Sequence, residues 1–229
     1  MKPTLLRRIL LQLLKIDPLR NLYCWARYFF LKGRMRILPV MTEGVGKHTV
    51  DHNMSALRVR AAFGMGNRMA LLLYPLAVAL RNTPDAKVLI VGPRTEDDLY
   101  WARSLGISNV RGLDLFSYSP WIDIGDIHHT SYEYREFDAV ILGWVISYSE
   151  KPEVLVAECK RITKPGGYLG FGIESNPSQR GTGKYGPPRV NALNSGKDIA
   201  ELVQESVVFI HDPEIDVPTD NAVLFQLAQ

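Results

Sequence analysis

Two periodicities divide the chain. Up to about residue 80, apolar positions recur at helical spacing. In PTLLRRILLQLLK, Leu6, Ile9, Leu10, Leu13 and Leu14 share one face, with Arg7, Arg8 and Lys15 elsewhere. Asp17-Pro18 ends that helix. LYCWARYFFLKGRMRIL follows, rich in aromatic and basic residues. Residues 41–60 read as a polar linker, and a helix is expected over about Ala61 to Leu80, bent at Pro75.

From Ala86 the pattern changes to apolar runs alternating with amphipathic ones. AKVLIVG, NVRGLDLF, WIDIGDI, FDAVILGWVI and YLGFGIE read as five strands, with helices at EDDLYWARSLG and Lys151–Ile162 between them. A helix near Gly196–Gln204 precedes two last strands, SVVFIHD and AVLFQLA. The connection between those two is too short for a crossover helix, so they should pair antiparallel. The expected class is α/β: a Rossmann-like, doubly wound, mostly parallel seven-stranded sheet with an antiparallel last strand. The expected division is a basic helical extension over residues 1–84 and an α/β domain over 85–229.

Composition sharpens the first part of this division. The chain has 229 residues and 46% hydrophobic content, ample for a large core. Its formal net charge of +3 is unevenly spread: residues 1–40 hold nine Lys/Arg and one acid, the remainder 18 and 23. A basic arm on a mildly acidic body implies contact with something negative: a phospholipid surface, a nucleic acid or the body itself. With Trp25, Tyr28 and Phe29 on it, the arm reads either as a layer packed on the main domain or as an interfacial helix pair on anionic lipid. Cys24 and Cys159 have neither disulfide nor metal spacing, so no metal is expected. Without a cleavable leader or a spanning run, a cytoplasmic location is expected, with peripheral membrane contact as the option.

Candidate chemistry falls at strand ends, where open parallel sheets bind ligands. Gly92 ends the first strand, Asp114 the second, 22 residues on, and Asp126 the third. An acid about 20 residues past a glycine turn suits a ribose diol. GVGKHT is no phosphate loop, because Met41 and His48 stand where that motif needs Gly and Ser or Thr.

The stretch from Lys87 to about Asn176 resembles the class I S-adenosylmethionine-dependent methyltransferases of small-molecule type. GDIHHTSYEYREFDAVILGWVISYSEKPEVLVAECKRITKPGGYLGFGI is similar, without a gap, to their run from third to fifth strand, and KPGG to the turn before the fifth. The resemblance implies S-adenosylmethionine as cofactor. It assigns Gly92 to close backbone approach, Asp114 to the ribose hydroxyls, and Asp126 to the adenine amino group, with Ile127 beside the ring. Gly143 and Trp144 would line the methyl-transfer pocket.

The chain departs from that family's acid-x-Gly-x-Gly-x-Gly turn: Ile90, Arg94 and Glu96 occupy the acid and the last two glycine positions. The Arg94 guanidinium either fills the methionine end of the pocket or pairs with its carboxylate. Thr95 and Asp98 are spaced as a helix capping box, and Glu96 and Asp97 suit the helix dipole. Three carboxylates there oppose a pyrophosphate, which argues against NAD or FAD. For a hydroxyl nucleophile the candidate bases are His128 and Tyr148, with His129 and Glu174 behind them. Arg180, Lys184, Tyr185 and Arg189, in a Gly/Pro-rich loop, suit an acidic or phosphorylated acceptor.

Two readings follow. The first is a methyltransferase acting, at oxygen, on a small, sugar or lipid-linked acceptor, with nucleic acid disfavoured by the acidic body. The second is a catalytically inactive relative serving as a binding or scaffolding subunit with a partner.

Overall fold

The computed structural model describes residues 5–39, 50, 51, 53–55, 57, 67–175, 191, 193–213 and 219–229. The Gln179–Arg189 loop, with Arg180, Lys184, Tyr185 and Arg189, lies outside these residues, as do GVGKHT and residues 61–66 of the expected third helix.

In chain order the helices are α1 (Leu5–Leu13), α2 (Asp17–Leu31), α3 (Ala70–Ala79), α4 (Asp97–Ser104), α5 (Pro152–Ile162) and α6 (Gly196–Val203). The strands are β1 (Arg36–Ile37), β2 (Lys87–Val91), β3 (Asn109–Asp114), β4 (Phe116–Ser117), β5 (Ile122–Ile124), β6 (Phe137–Leu142), β7 (Thr163–Ser175), β8 (Ser206–His211) and β9 (Thr219–Gln226).

Seven strands form one sheet in the order β5-β3-β2-β6-β7-β9-β8. β5, β3, β2, β6 and β7 run parallel; β9 is antiparallel to both β7 and β8. The expected architecture, including the antiparallel strand supplied by the short last connection, is therefore present. Apolar residues on both faces of β2 explain the double layer. Leu89 and Val91 join one core with α5 and α6, and Val88 and Ile90 join the other with α3 and α4. Pro75 lies inside α3, whose Leu72, Leu73 and Leu76 are fully buried in that second core.

The basic arm meets the body. Leu14 and Cys24 form a small apolar cluster with Tyr100 of α4, joined by Leu10 and Tyr23. Arg20, 1% exposed, donates from Nε to Asp97 at 3.1 Å and from Nη1 to the Leu14 carbonyl at 3.2 Å. Its guanidinium lies 4.3 Å over the Trp101 ring. Arg27 grips the fully buried Glu96 with two N–H groups, Nη2 at 2.9 Å. β1 then pairs with β4. A buried carboxylate held by a two-pronged guanidinium is among the stronger ion pairs available to a protein. Leu6, Ile9 and Leu13, which share the apolar face read from the sequence with Leu10 and Leu14, point instead to solvent. Both cysteines are buried and unbridged, and burial pushes their thiols up, away from reactivity.

Candidate active site

The carboxyl ends of β2, β3, β5 and β6 meet at one edge of the sheet, and the turn after β2 is its centre. The Gly92 N–H donates to the Leu113 carbonyl at 2.8 Å, and the Gly143 N–H to the Val91 carbonyl at 3.1 Å. These bonds tie three strand ends together. Gly92 has φ +74°, and a Cβ there would lie 2.3 Å from Val145 Cγ2. Conformation and space therefore both require glycine.

Arg94 takes φ +50°, a left-handed value suited to glycine. Its N–H donates to Asp114 Oδ2 at 3.0 Å. The other oxygen, Oδ1, accepts from the Leu115 N–H at 2.7 Å, and Phe116 adds a third backbone donor. Asp114 is nevertheless so buried that its carboxyl is pushed up to about 6, the backbone donors and Arg94 opposing the shift. Burial, then the neighbouring Arg68, drive the Arg94 guanidinium down from its ordinary value; Asp114, Tyr148 and Asp98 act the other way. Burial and Asp97 push Asp98 up to about 7. Arg68, Arg94, Asp98, Asp114 and Tyr148 thus form one electrostatic cluster at the turn.

The acids after Arg94 have a use that spacing did not reveal. Glu96 is the residue before α4, and no side chain caps the helix. Thr95 Oγ1 accepts from the Asp97 N–H at 3.2 Å, so the Thr95/Asp98 capping box is absent. Glu96 turns inward to Arg27 and to the Ser119 hydroxyl, and Asp97 to Arg20. Two of the three carboxylates hold the arm.

Past β5, Asp126 sits in a tight turn bridged to His129. Its Oδ1 accepts from the His128 N–H at 2.9 Å and meets His128 Nδ1 at 2.6 Å, which lowers the Asp126 carboxyl. His128 Nε2 lies 2.6 Å from Ser149 Oγ. With the Nδ1 proton toward the carboxylate, Nε2 is the acceptor nitrogen. Ile127 points away into the core and is 4% exposed. Tyr148 closes the turn after β6, its N–H donating to the Val145 carbonyl at 3.0 Å.

Gly143 and Trp144 sit where β6 ends. A Cβ on Gly143 would meet Met69 Sδ at 3.3 Å, so the residue just before α3 covers this side. Trp144 has φ +59° and lies flat on Gly172, where a Cβ would come 2.6 Å from the ring. The Arg68 guanidinium lies over the Trp144 ring, 4.6 Å from its centroid, and Trp144 Nε1 is buried without a hydrogen-bond partner. Arg68, Ser149 and Asn191 were not singled out in the sequence. Arg68 offered one signal, a lone cation at the head of the apolar run ALLLYPLAVAL. Asn191 donates to the Ile146 and Ser149 carbonyls at 2.8 and 2.9 Å, fixing the turn that carries Tyr148. Among the described residues no cluster of side chains could hold a metal ion.

A family model described as a methyltransferase domain matches residues 98–171. No curated protein matches the chain. Among solved structures, the cyclase SpnF is similar with a TM-score of 0.61 at 11% identity, over 84% of this chain and 99% of the other. A chain from a complex of the Haloferax volcanii Trm112 methyltransferase activator gives 0.57 at 15% identity, over 81% and 98%. An S-adenosylmethionine dependent methyltransferase from Mesorhizobium loti gives 0.52 at 16%, over 70% and 98%. At such identities these likenesses establish the fold.

Proposed function

We propose that this chain, a class I S-adenosylmethionine-dependent methyltransferase, methylates oxygen on a small, sugar or lipid-linked acceptor. The observation that carries the cofactor half of the reading is the turn itself. Arg94 keeps a glycine-type backbone at φ +50° and aims its N–H at Asp114. Holding a non-glycine residue there costs about 1–2 kcal/mol. A turn retained against that cost argues for a maintained cofactor site and against the scaffold reading.

The residues present fit the cofactor. An ionised carboxylate offers about four acceptor positions, so Asp114, with three backbone donors, retains one for a ribose hydroxyl. Both Asp126 contacts to His128 use Oδ1, leaving Oδ2 to meet the adenine amino group. Gly92 gives close backbone approach, and Ile127 backs the adenine side from the core. Gly143 and Trp144 flank the methyl side, where the orphaned Trp144 Nε1 is a ready donor. Arg94 and Arg68 repel each other, and a methionine carboxylate between them relieves that repulsion with charge-assisted hydrogen bonds.

When bound, S-adenosylmethionine supplies a sulfonium methyl group open to in-line displacement. The protein's task is to hold the acceptor in line and remove its proton. His128 takes that proton at Nε2, where the acceptor hydroxyl takes the place of Ser149 Oγ, while Asp126 at Nδ1 stabilises the imidazolium. Tyr148 orients the acceptor hydroxyl. Arg180, Lys184, Tyr185 and Arg189 receive an acidic or phosphorylated part of the acceptor. A partner subunit belongs to the same proposal, prompted by the Haloferax activator complex.

The test is transfer of a labelled methyl group from S-adenosylmethionine to free sugars, nucleotide-linked sugars and glycolipids. His128→Ala should lower turnover by roughly 10²-fold or more without changing affinity for S-adenosylhomocysteine. Unchanged turnover removes His128 from the mechanism. Label appearing only on nitrogen or sulfur acceptors refutes methylation at oxygen.

A further inference from the structure

The arm is built inside out. In α2 the charged residues face the body: Arg20 is buried on Asp97, Arg27 reaches Glu96, and Asp17 pairs with Arg20 at 2.7 Å. The opposite face carries Leu19, Leu22, Ala26, Phe29 and Phe30, within an arc of about 100° at the helical angle per residue. No charged residue of α2 falls in that arc. The outward face of α1 repeats this, with Leu6, Ile9 and Leu13 exposed. Leu6 is 78% and Phe30 82% exposed, whereas Leu10, Leu14 and Cys24 already supply the contact with the body. A helix normally turns its polar side to water. Here the polar side is consumed by ion pairs, and apolar side chains are left outward on both helices.

The charge around that surface selects its occupant. Arg8, Lys15, Lys32 and Arg34 are exposed on α1, at the α1–α2 bend and just past α2. Lys32 Nζ stands 4.5 Å from the Phe29 ring, directly beside the apolar face. Asp17, the arm's one acid, is already paired. A second copy of the arm would set cations against cations. An anionic bilayer surface satisfies both halves at once: acyl chains take the leucines and phenylalanines, and phospholipid headgroups take the basic rim. No described helix is long and apolar enough to cross a membrane, so the arm would lie in the interface.

We infer that α1 and α2 dock the protein on an anionic phospholipid surface, through Leu6, Ile9, Leu13, Leu22, Phe29 and Phe30, rimmed by Arg8, Lys15, Lys32 and Arg34. This stands apart from the methyl-transfer reading, since cofactor binding in solution does not require it.

The experiment is flotation of the full-length protein with two vesicle types, phosphatidylcholine alone and phosphatidylcholine mixed with phosphatidylglycerol. The protein floats with the mixed vesicles at low salt and much less with the neutral ones. Leu22→Gln/Phe30→Gln lowers the bound fraction about tenfold or more, and Lys15→Glu/Lys32→Glu does the same through charge. Both variants keep the wild-type melting temperature and affinity for S-adenosylhomocysteine, because the altered side chains point away from the body. Absence of flotation, or flotation undiminished in both variants, overturns the inference. So does a lipid-indifferent dimer that Leu22→Gln/Phe30→Gln converts to monomer, which would make a second copy the occupant.

Discussion

Asp114 gives the sharpest prediction, because in the proposed ribose role its carboxyl must be ionised to accept from a hydroxyl beyond its backbone donors. Its ionisation is displaced from 3.8 to about 6 by burial. The folded protein therefore bears about 3 kcal/mol for that charge. At pH 7.5 the group is almost fully ionised, and at pH 5 only about one-tenth is. If the ionised form binds the cofactor, the Kd for S-adenosylhomocysteine rises about tenfold between pH 7.5 and pH 5, or ~1.4 kcal/mol. Stability of the free protein runs the other way. A carboxyl whose folded value is raised favours the fold when protonated, so Asp114's contribution to stability falls as pH rises from about 4 to about 6. Asp98, raised to about 7, extends that window upward. Titration calorimetry across this range, paired with melting curves, separates the two trends. Asp98→Asn should leave the binding midpoint near pH 6, while Asp114→Asn should abolish the pH dependence and weaken binding. Affinity that stays flat in the wild type from pH 7.5 to pH 5 would refute the ribose role.

Two further outcomes follow from the same contacts. Arg27→Met strands Glu96 in the interior and should cost about 3–5 kcal/mol, read as a lowered melting temperature and earlier proteolysis within residues 5–39. The penalty should shrink on acidification, by up to ~1.4 kcal/mol per pH unit, as the stranded carboxyl gains a proton; the double variant with Glu96→Gln should recover most of it, and a small, pH-independent change would mean the pair does not hold the arm. Gly92→Ala meets both the Val145 clash and the left-handed φ, so S-adenosylhomocysteine affinity should fall by about tenfold or more with a loss of ~1–3 kcal/mol in urea unfolding, and a wild-type melting curve with wild-type affinity would contradict the packing described at the turn.

Strands were legible where a run, such as VLIV at the first long strand, is apolar on both faces and bounded by breakers. The antiparallel pair at the end followed from connection length alone. What the sequence withheld was where charge goes. The basic arm read as meeting a lipid surface, a nucleic acid or the body, and nothing local chose among them, because the partners of Arg20 and Arg27, Asp97 and Glu96, lie 77 and 69 residues away. Leu6, Ile9 and Leu13 shared one apolar face with Leu10 and Leu14, but periodicity marks such a face without saying what covers it. Thr95 and Asp98 had capping-box spacing, yet Glu96 was drawn inward by Arg27 and shifted the helix start. Strand ends put Gly92, Asp114 and Asp126 at one edge of the sheet, and Gly143, just past β6, lies at the same edge. Arg68 and Ser149 come to that edge from distant segments, and no local pattern announces such contacts.

The central claim is that the turn after the first long strand admits S-adenosylmethionine with Arg94 in it. The direct measurement is calorimetric titration of the full-length protein with S-adenosylhomocysteine at neutral pH. One site per chain with a micromolar Kd, lost in Asp114→Ala, is the predicted result. Silence in the wild type, with binding restored by Arg94→Gly, would mean that the guanidinium plugs the groove.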